Sequence, residues 1–269
     1  MTNNESIFKR LWDIYIAQNP MAEQVYNLFT AEGERVINDH IAFRTFRHPL
    51  IGIDVLAQPF LDAGYTYKSD YHFKEKKLLA KHYEHSSDPE APRVFISELL
   101  FHDFSPFLQE VVKDWIFALP ECVLGSDQLL FTGNDSGVPS FETYKTLRTE
   151  SEYAAWLYVN GFRANHFTVS VNHLKKFDSI YKVNAFLKHN GFLLNDAGGE
   201  VQGTPEQLLE QSSIKAGMVK FNFVEGEFEI PGCYYEFARR YPDKDGKLYS
   251  GFISKSADKI FESTNFYQK

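Results

Sequence analysis

Three short stretches carry side chains that could together hold a metal ion. They are Asn38-Asp39-His40-Ile41-Ala42-Phe43-Arg44-Thr45-Phe46, Ala164-Asn165-His166-Phe167-Thr168-Val169-Ser170-Val171 and Tyr234-Tyr235-Glu236-Phe237. Each is rich in β-branched or aromatic residues and reads as a strand. His40 and His166 would each present an imidazole, and Glu236 a carboxylate. A carboxylate in so aromatic a strand is costly to bury alone and needs a cation. A metal would satisfy it; so would a neighbouring arginine, Arg239 or Arg240. Two imidazoles and one carboxylate with open positions form the ligand set of non-haem Fe(II) oxygenases. Zinc could use the same three groups for hydrolysis.

Arg44 lies four residues after His40. Side chains alternate along a strand, so the two share a face and Arg44 should lie near the metal. A guanidinium there can hold a carboxylate through two hydrogen bonds, so substrate binding is expected rather than a surface salt bridge. Glu98, in Phe95-Ile96-Ser97-Glu98-Leu99, is a secondary candidate. It stands as the first-half counterpart of Glu236 and could be a fourth ligand, a group behind the ligands, or a remnant of duplication. Among the other histidines, His72 and His82 lie within expected strands and are weaker candidates. His48, His85, His102, His173 and His189 sit beside turns or at element ends.

The elements that must position these groups follow from periodicity and breakers. Apolar residues at helical spacing over residues 5–32, broken at Asn19-Pro20, predict a helical hairpin closed by Gly33. A strand over 36–46 and a helix over 50–64 come next, then strands over 65–73, 78–85 and 93–100. Helices are expected over 104–119 and 141–160, with an irregular stretch between them. The pattern then restarts with a strand over 164–172, a helix over 177–190 and a short strand over 192–194. After a Gly-rich, polar insertion, 218–224 and 233–240 read as strands. The tail from Tyr241 is polar, then carries Phe252, Ile253, Ile260 and Phe261.

The restart is an internal repeat. Phe60-Leu61 follows His40 by 20 residues, and Phe186-Leu187 follows His166 by the same offset; Gly64-Tyr65 and Gly191-Phe192 then end the two helices. A histidine in each first strand favours duplication over coincidence. The expected organisation is a single domain over 1–269. It comprises N-terminal helices (1–35), a first βαβββ-like unit (36–100), a helical connection (101–162), a second unit (163–240) and a tail (241–269). Two such units suggest an α+β protein whose curved sheets form a shared cavity. That is the glyoxalase-like, or vicinal-oxygen-chelate, arrangement, which by itself says little about chemistry.

Composition narrows the function classes. The 269-residue chain carries a net charge of −8, which argues against non-specific nucleic-acid binding. No apolar run is long enough to span a bilayer and the N-terminus lacks a signal-peptide pattern, so a soluble cytoplasmic protein is the default expectation. Cys122 and Cys233 have no metal-knuckle spacing and read as buried free thiols. The 25 Phe and 15 Tyr suit strands and a large core.

With these residues in view, the chain resembles the 2-oxoadipate dioxygenase/decarboxylase (D-2-hydroxyglutarate synthase) family. The carrying segments are the His40–Arg44 strand, Arg93-Val94-Phe95-Ile96-Ser97-Glu98-Leu99, Asn165-His166-Phe167-Thr168 and Pro231-Gly232-Cys233-Tyr234-Tyr235-Glu236-Phe237-Ala238. The resemblance implies Fe(II) held by His40, His166 and Glu236, with Arg44 as the arginine that binds a substrate carboxylate. It implies conversion of 2-oxoadipate and O2 to D-2-hydroxyglutarate and CO2, as in lysine degradation. This chain is more compact than many bacterial relatives, which leaves the identity of the 2-oxo acid open. The rival expectations are a zinc or manganese hydrolase with the same ligands, and a non-catalytic small-molecule-binding protein. Oligomeric state is not legible.

Overall fold

Asn19-Pro20 ends one helix and starts the next, giving α1 (Asn3–Gln18) and α2 (Pro20–Ala31). Proline at the first helical position costs no hydrogen bond and presets its backbone angle. The structure, a computed structural model, describes residues 3–253; the expected apolar pair Ile260 and Phe261 lies outside the described residues. β1 (Asn38–Phe46), α3 (Ile53–Asp62), β2 (Tyr65–Phe73), β3 (Leu78–His85) and β4 (Arg93–Leu99) form the first half. A helical connection follows: α4 (Pro106–Phe117), α5 (Phe141–Glu150) and α6 (Glu152–Asn160). The single helix expected over 141–160 is thus two. Ser151 leaves the helical conformation at φ −150° and caps α6 by accepting a hydrogen bond from Ala154 N.

The second half holds β5 (Ala164–Ser170), α7 (Ile180–His189), β6 (Gln202–Thr204), β7 (Leu209–Ser213), β8 (Met218–Phe223), β9 (Gly226–Pro231) and β10 (Tyr234–Arg240). Two expectations are corrected here. The segment 192–194 contributes only an isolated bridge, Leu194 to Ile214, and not a strand. The polar insertion supplies β6 and β7 of the main sheet, while β8 pairs with β9 in a separate hairpin.

Eight strands form one curled sheet in the order β2-β3-β4-β1-β5-β10-β7-β6. Its centre is the antiparallel pair β1–β5, and each of these strands pairs in parallel with the last strand of its own half. Each half is therefore a βαβββ unit, related to the other by a pseudo-two-fold axis at the β1–β5 seam. The partners His40–Thr168 and Ala42–His166 make His40 the counterpart of His166, and Arg44 that of Ser170. Gly64 and Gly191 adopt φ +94° and +85° just beyond α3 and α7, a left-handed turn that glycine makes without strain.

Alternation along the strands separates two environments. Ile41, Phe43, Phe167, Tyr235 and Phe237 point outward into an aromatic core under the helices. Trp12 of α1 meets Phe167 and Tyr235 at 5.0 and 5.6 Å, and Phe60 of α3 meets Phe43 at 5.5 Å. The other parity faces inward and carries the candidate site.

Candidate metal centre

His40, His166 and Glu236 converge on the inner face from three adjacent strands. One donor atom from each lies within 4.8 Å of the others, and the residues are only 2%, 3% and 1% exposed. His166 Nε2 is 3.0 Å from Glu236 Oε2, and His40 Nε2 is 3.7 Å from Oε1. The two rings stand nearly perpendicular, 84° apart, with centroids 5.6 Å apart. Gln211 of β7 donates to Glu236 Oε1 at 2.5 Å, and Thr168 Oγ1 lies 3.1 Å from His40 Nε2.

The backbone orients both rings in the same way. The β1–β5 register slips by one residue at Asp39 and again at Asn165, each the extra residue of a bulge. A bulge turns these side chains toward the following histidine. His40 Nδ1 donates to Asp39 Oδ1 at 2.8 Å, and His166 Nδ1 to Asn165 Oδ1 at 3.0 Å. With Nδ1 occupied, each ring offers the Nε2 lone pair to the centre.

Electrostatics favour an ionised carboxylate at the centre. Burial pushes the Glu236 carboxyl up, but His40 and His166 outweigh it and hold the group below the ordinary carboxylate value. Burial is the largest influence on His166 and keeps its imidazole below the usual histidine value, against the pull of Glu236. Asp39 is held well below the carboxylate range: burial opposes this, but Arg240, His40 and Arg93 prevail. Two buried imidazoles and an ionised carboxylate suit a divalent cation with positions left open.

Arg44 shares the face of His40, because the β1–β4 register runs unbroken from His40–Arg93 to Arg44–Ser97. It is 1% exposed and its guanidinium lies 4.9 and 5.1 Å from the rings of Tyr153 and Trp156 on α6. Its Nη1 is 3.3 Å from Glu152 Oε2, at the rim of a cleft lined by Tyr144, Arg148, Glu152, Trp156 and Ile230. Burial would lower the Arg44 pKa, but Glu152 raises it, so the cation is secure.

Glu98 stands elsewhere. It pairs across from Thr45, one residue out of phase with the inner-face Ser97, and accepts from Ile53 N at the start of α3 at 3.1 Å. Arg47 Nε lies 3.8 Å away. The inner-face counterpart of Glu236 is Phe95, which pairs with Ala42 as Glu236 pairs with Thr168. Glu98 is therefore a helix cap and not a fourth ligand. Nor does Arg240 serve Glu236: it binds Asp39, and Arg239 lies over the Tyr241 ring. His82 reaches the inner face but bonds Tyr71 and Glu84, and His72 is exposed. Cys233 is buried as expected, whereas Cys122 is exposed.

Several residues of the site escaped sequence reasoning: Asp39, Asn165, Thr168, Gln211, Glu152 and Phe252. Only Asp39 and Asn165 carried a usable signal, a polar oxygen immediately before each histidine.

A curled sheet of two βαβββ halves with this cluster at its seam defines a glyoxalase-like protein with a candidate metal centre. A protein of Ralstonia eutropha assigned to the glyoxalase superfamily superposes with a TM-score of 0.73, covering 93% of this chain and 85% of its own at 21% identity, a likeness of fold alone. Residues 7–117 and 129–247 match the family model of 2-oxoadipate dioxygenase/decarboxylase, and the chain belongs to that family. A rice relative, 2-oxoadipate dioxygenase/decarboxylase, chloroplastic/amyloplastic, is 34% identical over 97% of this chain and 78% of its own length. The crystal structure of rice hydroxyglutarate synthase in complex with 2-oxoadipate superposes with a TM-score of 0.91 at 33% identity, covering 98% of this chain and 92% of that one. A Shewanella frigidimarina protein described as a candidate hydrolase is 47% identical, with a TM-score of 0.89 and coverage of 94% and 99%. Among the described residues no helix is long and apolar enough to cross a membrane.

Proposed function

We propose that the protein is an Fe(II)-dependent dioxygenase that converts 2-oxoadipate, or a similar 2-oxo acid, and O2 to D-2-hydroxyglutarate, or the corresponding shortened 2-hydroxy acid, and CO2. The observation that carries this reading is the convergence of His40, His166 and Glu236 within 4.8 Å on the buried face that also holds Arg44. Membership of the family and the 2-oxoadipate complex of the rice enzyme support it.

The donor set fits the metal: two Nε2 lone pairs and an ionised carboxylate, with both Nδ1 atoms bonded from behind. Bound Fe(II) supplies open coordination positions and a redox partner for a 2-oxo acid and O2. The chain's own residues do the rest. Arg44 receives a substrate carboxylate; its guanidinium is planar, permanently charged and flanked by the Tyr153 and Trp156 rings, which limit its poses. Gln211 fixes the Glu236 carboxylate, and Thr168 stands beside His40 Nε2. The aromatic surroundings, Tyr234 stacked on His166 at 4.7 Å and Phe252 edge-on to His40 at 4.8 Å, keep bulk water from the centre.

The test is oxygen-electrode screening of protein loaded anaerobically with Fe(II), against 2-oxo acids of graded length. The expected result is O2 uptake and CO2 release with 2-oxoadipate. Zinc- or manganese-dependent hydrolysis without O2 uptake would favour the hydrolase reading suggested by the Shewanella protein. Absence of bound metal and of turnover would favour a binding protein.

A further inference from the structure

His40 and His166 are counterparts, but the groups behind them differ. Asn165 is neutral. Asp39 is a buried carboxylate gripped by Arg240, with Nε 2.7 Å from Oδ2 and Nη2 2.8 Å from Oδ1. Arg93 Nη1 lies 3.5 Å from the same Oδ2. The remaining arm of Arg240, Nη1, donates to the carbonyls of Tyr249 at 3.0 Å and Gly251 at 2.8 Å. Phe252 follows directly. Its ring lies 5.2 Å from the Arg240 guanidinium and 4.8 Å from the His40 ring, at 86°, and its N–H donates to Tyr71 Oη at 3.1 Å. Phe95 and His82 pack on the same ring at 4.9 and 5.4 Å.

We propose that Asp39 is a positioning residue that, through Arg240, couples the C-terminal strap 249–252 to His40, so that docking of the strap and metal binding support each other. This rests on the metal-centre reading above. A carboxylate on Nδ1 fixes the Nδ1–H tautomer and the ring plane, leaving Nε2 as the donor. The two-point contact with Arg240 fixes the carboxylate in turn. Phe252 blocks the side on which the His40 ring would otherwise swing away. Since the docked strap favours the ligating pose of His40, a metal that requires that pose must favour the docked strap by the same factor. His166 has a neutral partner in Asn165, so the coupling runs through one half of the site only.

The experiment uses the full-length chain, metal-free and then titrated anaerobically with Fe(II) against a competing chelator. Co(II) serves as a spectroscopic probe of the ligand field, and hydrogen exchange reads the strap. Fe(II) should slow amide exchange at 249–252 in the wild type. Asp39→Asn should weaken Fe(II) binding by roughly 10–100-fold and move the Co(II) visible bands. Asn165→Asp should bind Fe(II) at least as tightly as the wild type. Asp39→Asn leaves the buried Arg240 guanidinium short of an anion, and the half-buried Arg93 with Glu84 alone, and can fail to fold. Phe252→Ala leaves the Asp39–Arg240 pair intact and decides the matter. It should weaken Fe(II) binding and speed strap exchange in the metal-bound protein. Wild-type Fe(II) affinity in Phe252→Ala, or strap exchange indifferent to Fe(II), would overturn the coupling while leaving the metal centre standing. A wild type that binds no Fe(II) would overturn the metal-centre reading itself.

Discussion

Phe95 occupies in the first half of the sheet the place that Glu236 occupies in the second. Ala42 faces Phe95 across β1–β4, Thr168 faces Glu236 across β5–β10, and Ala42 and Thr168 are themselves exchanged by the pseudo-two-fold axis. The histidines are duplicated and the carboxylate is not. A fully symmetric site would bring four protein donors and approach a closed structural centre. Among the described residues this one brings three, and an aromatic ring stands where the fourth would be, the arrangement that leaves room for a substrate.

Phe95→Glu should complete the symmetry. In the metal-free protein a new carboxylate would be buried at a site built for a ring, so the melting temperature should fall. Fe(II) should restore it and bind more tightly than in the wild type, while O2 uptake with 2-oxoadipate should drop. Thermal melts with and without Fe(II), read beside oxygen-electrode rates, check this. Unchanged metal affinity would show that position 95 does not face the centre.

Arg44→Lys should keep metal binding and raise KM. A bidentate guanidinium–carboxylate contact is reduced to a point charge on a flexible stem. Loss of a charged hydrogen bond is worth about 1.5–3 kcal/mol, which corresponds to roughly 10–100-fold in KM. The variant should lose less against a 2-oxo monocarboxylic acid, which offers no second carboxylate. Equal losses for both substrates would place the carboxylate contact elsewhere.

The metal-free protein should lose stability as the pH falls below about 6.5. Burial holds the imidazoles of His166 and His82 below the free-histidine value of 6.5. Below 6.5 the unfolded chain takes up protons that these buried rings refuse, so stability is fully present above that pH and declines toward their folded values. The Asp39 and Glu236 carboxyls, both held low, lose their stabilising contribution only in a lower window, beneath the ordinary carboxylate values. Melting temperatures from about pH 7 to about pH 5 should therefore fall, and His82→Asn should flatten the slope. A melting temperature independent of pH in that window would contradict the burial argument.

The parts of the site visible in the sequence are those where local pattern and tertiary role agree. β1, β5 and β10 announce themselves by aromatic and β-branched residues, and period two places Arg44 on the face of His40. β7 is hidden because its five residues, Leu209-Glu210-Gln211-Ser212-Ser213, are all buried yet mostly polar. Their burial is satisfied by tertiary bonds, Gln211 to Glu236 and Ser212 Oγ to Asn184 Oδ1, which no local pattern encodes. The bulges at Asp39 and Asn165 shift side-chain direction by one residue, a change that alternation alone cannot see. Phe252 is brought to His40 by chain return over more than two hundred residues, and nothing near Phe252 in sequence marks it.

Glu98 and Glu236 put the register argument to its sharpest test. Strand similarity makes them look equivalent, but one residue of phase sends Glu98 to the outer face, where it accepts from Ile53 N at the start of α3. Removing a helix N-terminal acceptor typically costs about 1 kcal/mol. Glu98→Ala should therefore lower the melting temperature modestly and leave Fe(II) stoichiometry intact. Glu236→Gln should do the reverse. It keeps the volume and a hydrogen-bonding group near Gln211, so the metal-free fold should persist, but it removes the anion among three donors, so Fe(II) should no longer bind tightly. Metal content after anaerobic loading and gel filtration separates the two variants. Loss of metal in Glu98→Ala would restore Glu98 as a ligand, and full metal retention in Glu236→Gln would remove Glu236 from the centre.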